Sequence, residues 1–194
     1  MSSFLKATLS KAILLTVLMD PLGASAQMSM HDVFKTLPDT IVPYLSENNR
    51  LDLLDFMDAN MKAEVKNGLD GKSQLVTLNE RYADVLLNEA HRMELRLLDV
   101  TQPVDSCQQI ICIVHTFGKD VKESTISFHS LLWRKLPTGN YVTQPGNMFV
   151  ATLDSKQPML SITSSDYQNR PAMEEQKMIE TLPTNLKWEN NFFK

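Results

Sequence analysis

The feature that most limits how this chain can fold is the run Ile110-Ile111-Cys112-Ile113-Val114, apolar at every position. A strand sends successive side chains to opposite faces, so such a run is apolar on both faces and belongs at the centre of a sheet. Residues 124–132 read differently: Ile126 and Phe128 fall on one face, Ser127 and His129 on the other. The connection Gly118-Lys119-Asp120-Val121-Lys122 predicts an antiparallel hairpin between the two segments. Centring that turn on Asp120 sets His115 opposite Thr125 and His129 opposite Ile111. Further strands are predicted over 74–78, 82–88, 92–100 and 109–117, with polar turns between them.

Helices precede this region. Ser29 suits an N-cap, and Met30, Val33, Phe34 and Leu37 form one apolar stripe at i, i+3, i+4, i+7 before Pro38 ends it. Ser46 caps a longer predicted helix through about residue 65, with Leu54, Met57, Met61 and Val65 at helical spacing, and Gly68 and Gly71 close the section. In the tail, turn formers (Pro137-Thr138-Gly139, Gln144-Pro145-Gly146-Asn147) precede a strand at 159–163 and a helix over 172–181. A small hairpin is predicted around Asn190-Asn191, because asparagine tolerates positive φ. Helices first and then strands with short connections indicate an α+β fold, with N-terminal helices packed on a twisted, mainly antiparallel sheet.

Residues 1–26 have the three-part plan of a secretory signal. Lys6 and Lys11 give a positive start, residues 12–19 an apolar stretch, and Ala24-Ser25-Ala26 small residues for a peptidase that cleaves after Ala26. Eight apolar residues span roughly 12 Å as a helix against a ~30 Å hydrocarbon core, so no stable membrane anchor is expected. Residues 27–194 are then a single α+β domain of 168 residues, with 17 basic and 22 acidic side chains. That mild acidity gives no electrostatic case for nucleic acid. Cys107 and Cys112 are the only cysteines. On one extended strand their Cα atoms lie about 16 Å apart, well beyond disulfide reach.

Several stretches resemble a family of secreted Bacteroidales proteins catalogued as a domain of unknown function. They are Thr36-Leu37-Pro38-Asp39, Pro43-Tyr44-Leu45, Asn49-Arg50-Leu51-Asp52, Asp55-Phe56-Met57-Asp58 and Met61-Lys62-Ala63-Glu64-Val65, with Val104-Asp105-Ser106-Cys107 and Leu186-Lys187-Trp188 later in the chain. The resemblance implies an envelope or extracellular location in a Gram-negative anaerobe and brings no catalytic residues.

Cys107 is the residue to weigh as a nucleophile, with His31, His91, His115 and His129 available as bases. Thiol catalysis needs a base within hydrogen-bond reach and a third group to orient it, and no thiol-enzyme signature surrounds Cys107. A small packed thiol is the plainer reading, and Cys112 among isoleucines is core. In the predicted register His115 and His129 stand four pairs apart, roughly 13 Å, too far to share one ion. Asp52, Asp55 and Asp58 form an i, i+3, i+6 row that reads as the wet side of an amphipathic helix. Trp133, Trp188, Tyr141, Tyr167, Phe192 and Phe193 read as core or edge cover rather than a ligand box. No residue is therefore assigned as catalytic, cofactor-binding or metal-ligating, and no cofactor is expected. The expected function is a non-catalytic periplasmic or secreted binding domain for an envelope protein, peptide, glycan or lipid. The alternative is a hydrolase or transferase using Cys107 with a histidine.

Overall fold

The computed structural model describes residues 27–146, 148–164 and 184–194. Seven strands run as an antiparallel meander in sequence order: β1 (Glu64–Lys66), β2 (Lys72–Asn79), β3 (Tyr82–Asn88), β4 (His91–Val104), β5 (Cys107–Phe117), β6 (Glu123–Ser130) and β7 (Lys135–Leu136). Four more, β8 (Phe149–Leu153), β9 (Met159–Ser164), β10 (Thr184–Glu189) and β11 (Phe192–Phe193), make a second antiparallel sheet in the order β11-β10-β9-β8. The helices are α1 (Met30–Lys35) and α2 (Glu47–Asp58).

The β5 run lies at the heart of the larger sheet, and Ile110 through Val114 are fully buried. Its two faces serve two cores. On one face Leu75, Val85, Leu87, Met93, Leu95, Leu97, Ile111 and Ile113 pack against Met30, Val33, Phe34, Leu53 and Leu54 of α1 and α2. On the other, Leu98, Val100, Ile110, Cys112, Val114 and Phe128 pack against Ala151, Leu153, Leu160, Ile162 and Phe193 of the second sheet. The expected α+β class holds only in its coarser part: the molecule is dominated by antiparallel sheet, with two short helices near the N-terminus. A sequence pattern of strand after strand does not reveal that the last strands leave the first sheet and cover it.

The hairpin register is the one read from the sequence, with His115 opposite Thr125 and His129 opposite Ile111. Gly118 turns the chain at φ 101°, where a Cβ would lie 1.8 Å from the Val121 carbonyl oxygen. Asp105 and Ser106 (φ 49° and 65°) join β4 to β5, and Asn190 and Asn191 (φ 54° and 65°) join β10 to β11. Consecutive positive-φ residues give a turn whose twist matches the flanking strands.

Ser29 caps α1 through its side chain, as the sequence indicates. The long helix expected from 46 to 65 is corrected: capped by Ser46, it stops at Asp58. Asn60 takes φ 54°, an αL position that ends helices. Val65 then belongs to β1, and Met61 is 59 % exposed rather than part of a helical stripe. The signal segment 1–26, the helix expected over 172–181 and Tyr167 lie outside the described residues.

Candidate functional site

Strand alternation places His91, Met93, Leu95 and Leu97 of β4 toward the helices, and Arg92, Glu94 and Arg96 toward the second sheet. Hairpin pairing with β3 sets Tyr82 opposite Arg96, Asp84 opposite Glu94 and Leu86 opposite Arg92. The result is a compact ionic cluster: Asp84, Glu94 and Arg96 are only 2–4 % exposed, and Tyr82 3 %. Arg92 closes a two-pronged bond on Asp84, Nε to Oδ1 and Nη2 to Oδ2, both 2.7 Å. Such forked pairs are the strong ones. The Tyr82 hydroxyl donates to Glu94 Oε1 at 2.7 Å, and Arg96 Nη1 donates to the Asp154 carbonyl at 2.5 Å.

Two buried polar atoms of the cluster have no hydrogen-bond partner among the described residues: Glu94 Oε2 and Arg96 Nε. Burial pushes the Glu94 carboxyl above its ordinary range, against the pull of Tyr82, Arg92 and the Leu153 backbone. Burial and the neighbouring Glu94 likewise push the Tyr82 hydroxyl up. This cluster floors a cleft of about 390 Å³ between the sheets, walled by Thr77, Thr152, Leu153, Asp154, Ser155 and Ser161. A second, more apolar cleft of about 280 Å³ beside Ile162, Leu186 and Phe193 gathers no comparable group of polar side chains.

The helix side carries a different arrangement. His91 Nε2 and His115 Nδ1 are 2.8 Å apart, and the Tyr44 hydroxyl bonds His91 Nδ1. One set of neutral tautomers satisfies the whole chain: Tyr44 donates to His91 Nδ1, His91 Nε2–H donates to His115 Nδ1, and His115 keeps its proton on Nε2. Phe117 stacks on His91 at a centroid distance of 4.2 Å. Burial lowers the pKa of His91, and burial together with His91 and His129 lowers His115 to about 4. Both rings are thus neutral at pH 7.

Sequence reasoning placed His115 and His129 correctly on neighbouring strands but did not bring His91 to His115. The β4–β5 register, with Met93 opposite His115 and His91 opposite Phe117, makes them diagonal neighbours on one face. The pair falls short of the three protein ligands of a catalytic zinc site, and no group of three or more His, Cys, Asp or Glu converges among the described residues. His129 instead contacts the Trp133 carbonyl and the Ser127 hydroxyl at 3.5 and 3.3 Å, and His31 stands 3.4 Å from Asp58. Asp52, Asp55 and Asp58 are all exposed on α2.

Cys107 and Cys112 are free thiols. Cys107 lies half-buried at the edge of the helix-side core and forms no hydrogen bond among the described residues. Cys112 is fully buried on the other face, where burial pushes its thiol far up. Of the aromatic residues, Phe128, Tyr141, Trp188 and Phe193 form one packed group against the second sheet. Trp133 takes φ 63° in the β6–β7 turn and donates from Nε1 to the Thr36 hydroxyl at 3.3 Å.

The ionic cluster was not singled out from the sequence. Met93-Glu94-Leu95-Arg96-Leu97 alternates like any strand with one wet face. The signal that would have found it is the β3–β4 hairpin pairing, which stacks Asp84, Arg92 and Glu94 in neighbouring positions.

The fold is similar to a solved domain of an uncharacterized protein from Porphyromonas gingivalis W83. The TM-score is 0.71 and the identity 18 %, over 87 % of this chain and 99 % of that one, a likeness of fold alone. No curated protein matches the chain. The family model described as "Protein of unknown function (DUF3256)" matches residues 22–189, and the chain belongs to that family.

Proposed function

We propose that residues 27–194 act as an exported, non-catalytic binding domain, periplasmic or secreted, whose ligand seat is the cleft between the two sheets. The observation that carries this reading is the convergence of Tyr82, Asp84, Arg92 and Glu94 on the floor of a solvent-open cleft of about 390 Å³. Binding sites are concavities of this size in which a few placed polar groups fix the ligand. Catalysis is disfavoured by occupancy. Both Asp84 oxygens are held by Arg92, so that carboxylate is not poised as a nucleophile. The thiol reading of Cys107 lacks the hydrogen-bonded histidine it needs. The signal-like pattern of residues 1–26 supports export.

The seat is tested by amide chemical-shift mapping of labelled protein against fractions of the producing cell's envelope and medium. Shifts at Tyr82, Asp84, Glu94 and Leu153 that vanish in the cleft-filling variant Thr77→Trp are expected. Shifts confined to other surfaces, or unaltered in that variant, would remove the cleft from consideration. Mass spectrometry should find Gln27 as the N-terminus of material outside the cytoplasm; an intact Met1 terminus on cytosolic protein would overturn the export reading.

A further inference from the structure

On the cleft floor the Glu94 carboxyl lacks a close donor for one oxygen and a cation of its own. Taking its charged groups in turn, Arg92 is closed on Asp84 and stands 4.0 Å from Glu94 Oε1. Just before β3, Arg81 pairs with Asp99 of β4 at 2.6 Å. Arg96 binds the Asp154 carbonyl and faces that residue's charge, while the Asp154 carboxylate is already occupied by the amides of Lys156 and Gln157. Lys156 is exposed in the turn that follows β8. Glu94 is left, among the described residues, as the carboxylate of this cleft without a cation of its own. It is 3 % exposed, the Leu153 backbone and Arg92 only partly offset its burial, and its Oε2 has no close hydrogen-bond partner among the described residues. A buried carboxylate in this position takes up a proton or acquires a partner.

The cleft walls say what kind of partner. Thr77, opposite Asp84, and Ser155 line it, and neither makes a side-chain hydrogen bond among the described residues. We infer that the cleft takes a small hydroxylated primary amine, its ammonium group set against the Glu94 carboxyl and its hydroxyls against Thr77 and Ser155. This inference rests on the cleft being the ligand seat. The ammonium supplies both the donor and the charge that the floor lacks. It replaces the proton on Glu94, which leaves to the buffer as the carboxylate ionises against the bound cation. A neutral polyol of the same shape offers donors but no charge and leaves that proton in place.

Glucosamine and glucose form the matched pair of probes, since they differ by the amine at one carbon. Calorimetric titration in physiological sodium chloride, repeated in phosphate and in MOPS, neither of which carries a primary amine, reads affinity and proton release together. Glucosamine should bind about 10- to 100-fold more tightly than glucose, the worth of one charge-assisted hydrogen bond. Its affinity should rise with pH and its proton release fall to zero once the free protein no longer holds a proton on Glu94. Glu94→Gln preserves the shape and the bond from Tyr82, and it should abolish both the discrimination and the proton release. If that variant fails to fold, a carbon-labelled glutamate spectrum of the wild type gives the same answer, because glucosamine should lower the pH at which Glu94 titrates. Equal binding of the two sugars, binding of glucose alone, or no binding of glucosamine would each overturn the amine inference. In the last case, envelope fractions that still shift Tyr82 and Glu94 would leave the cleft reading standing without it.

Discussion

Strand β4 carries polar groups to both sides of the same sheet, and the two sides solve their burial differently. Toward the helices, Tyr44, His91 and His115 are joined as neutral groups, and a choice of tautomers gives each bond a donor and an acceptor. Toward the second sheet, Asp84, Glu94 and Arg96 are buried as ions or near-ions beside the half-exposed Arg92, and two of their atoms stay unmatched. An imidazole can shed its charge within a couple of pH units of neutrality, so burial costs it little at pH 7. A guanidinium cannot shed its charge, and its carboxylate neighbours must be matched one by one. Unmatched groups therefore collect on the ionic side, which is also the side with the cleft.

The two sides have opposite pH signatures. His115 has a folded pKa of about 4, below its unfolded value. Its contribution is therefore present above about pH 6.5 and is lost as pH falls toward 4. Glu94 has a raised folded pKa. Its contribution is full below the ordinary carboxylate range and is lost as pH rises through the folded value.

The comparison breaks most easily at Arg96. Arg96→Ala removes the tie to the Asp154 carbonyl and a buried cation, and should cost about 3–5 kcal/mol in urea denaturation at pH 7. A loss under about 1 kcal/mol would mean the ionic side is no more demanding than the histidine side. Next in size is the acid limb of stability. Between about pH 6.5 and 4 the wild type should lose roughly 2–3 kcal/mol more than His115→Phe, because that variant has no proton to take up at the site. Parallel curves would show that the ring is not held neutral by the fold. Tyr82→Phe leaves Glu94 Oε1 without its donor and should cost about 1–3 kcal/mol at pH 7, less near pH 4.5 where the folded carboxyl is largely protonated. Equal costs at the two pH values would argue that Glu94 keeps an ordinary pKa. The smallest effect belongs to Tyr44→Phe, about 1 kcal/mol and flat between pH 7 and 8, because half-buried His91 can take water instead.

Much of the sheet was legible because its signals are local. Alternation fixed the strands, Asp120 fixed the β5–β6 register, and paired asparagines marked the last turn. Local signals also misled once: Met57, Met61 and Val65 keep helical spacing across Asn60, yet that residue's αL backbone ends the helix before the spacing matters. The candidate site was less legible. Glu94 and Arg96 sit in a strand pattern that normally means a solvated face, and nothing within β4 tells that β8 and β9 will cover it. His91 and His115 lie 24 residues apart and meet only through a diagonal across the ladder.

What the sequence determined by itself is the run of central strands, their alternation and the placement of Ile110–Val114 at the centre, since period and turn chemistry act over a few residues. What the tertiary structure decided is which face stays wet. The return of the chain as a second sheet across β4, β5 and β6 converts an ordinary polar strand face into a buried ionic floor with one carboxylate unmatched. Burial is set by whatever segment arrives from far along the chain, and the charge of a buried group depends on that arrival more than on its own identity.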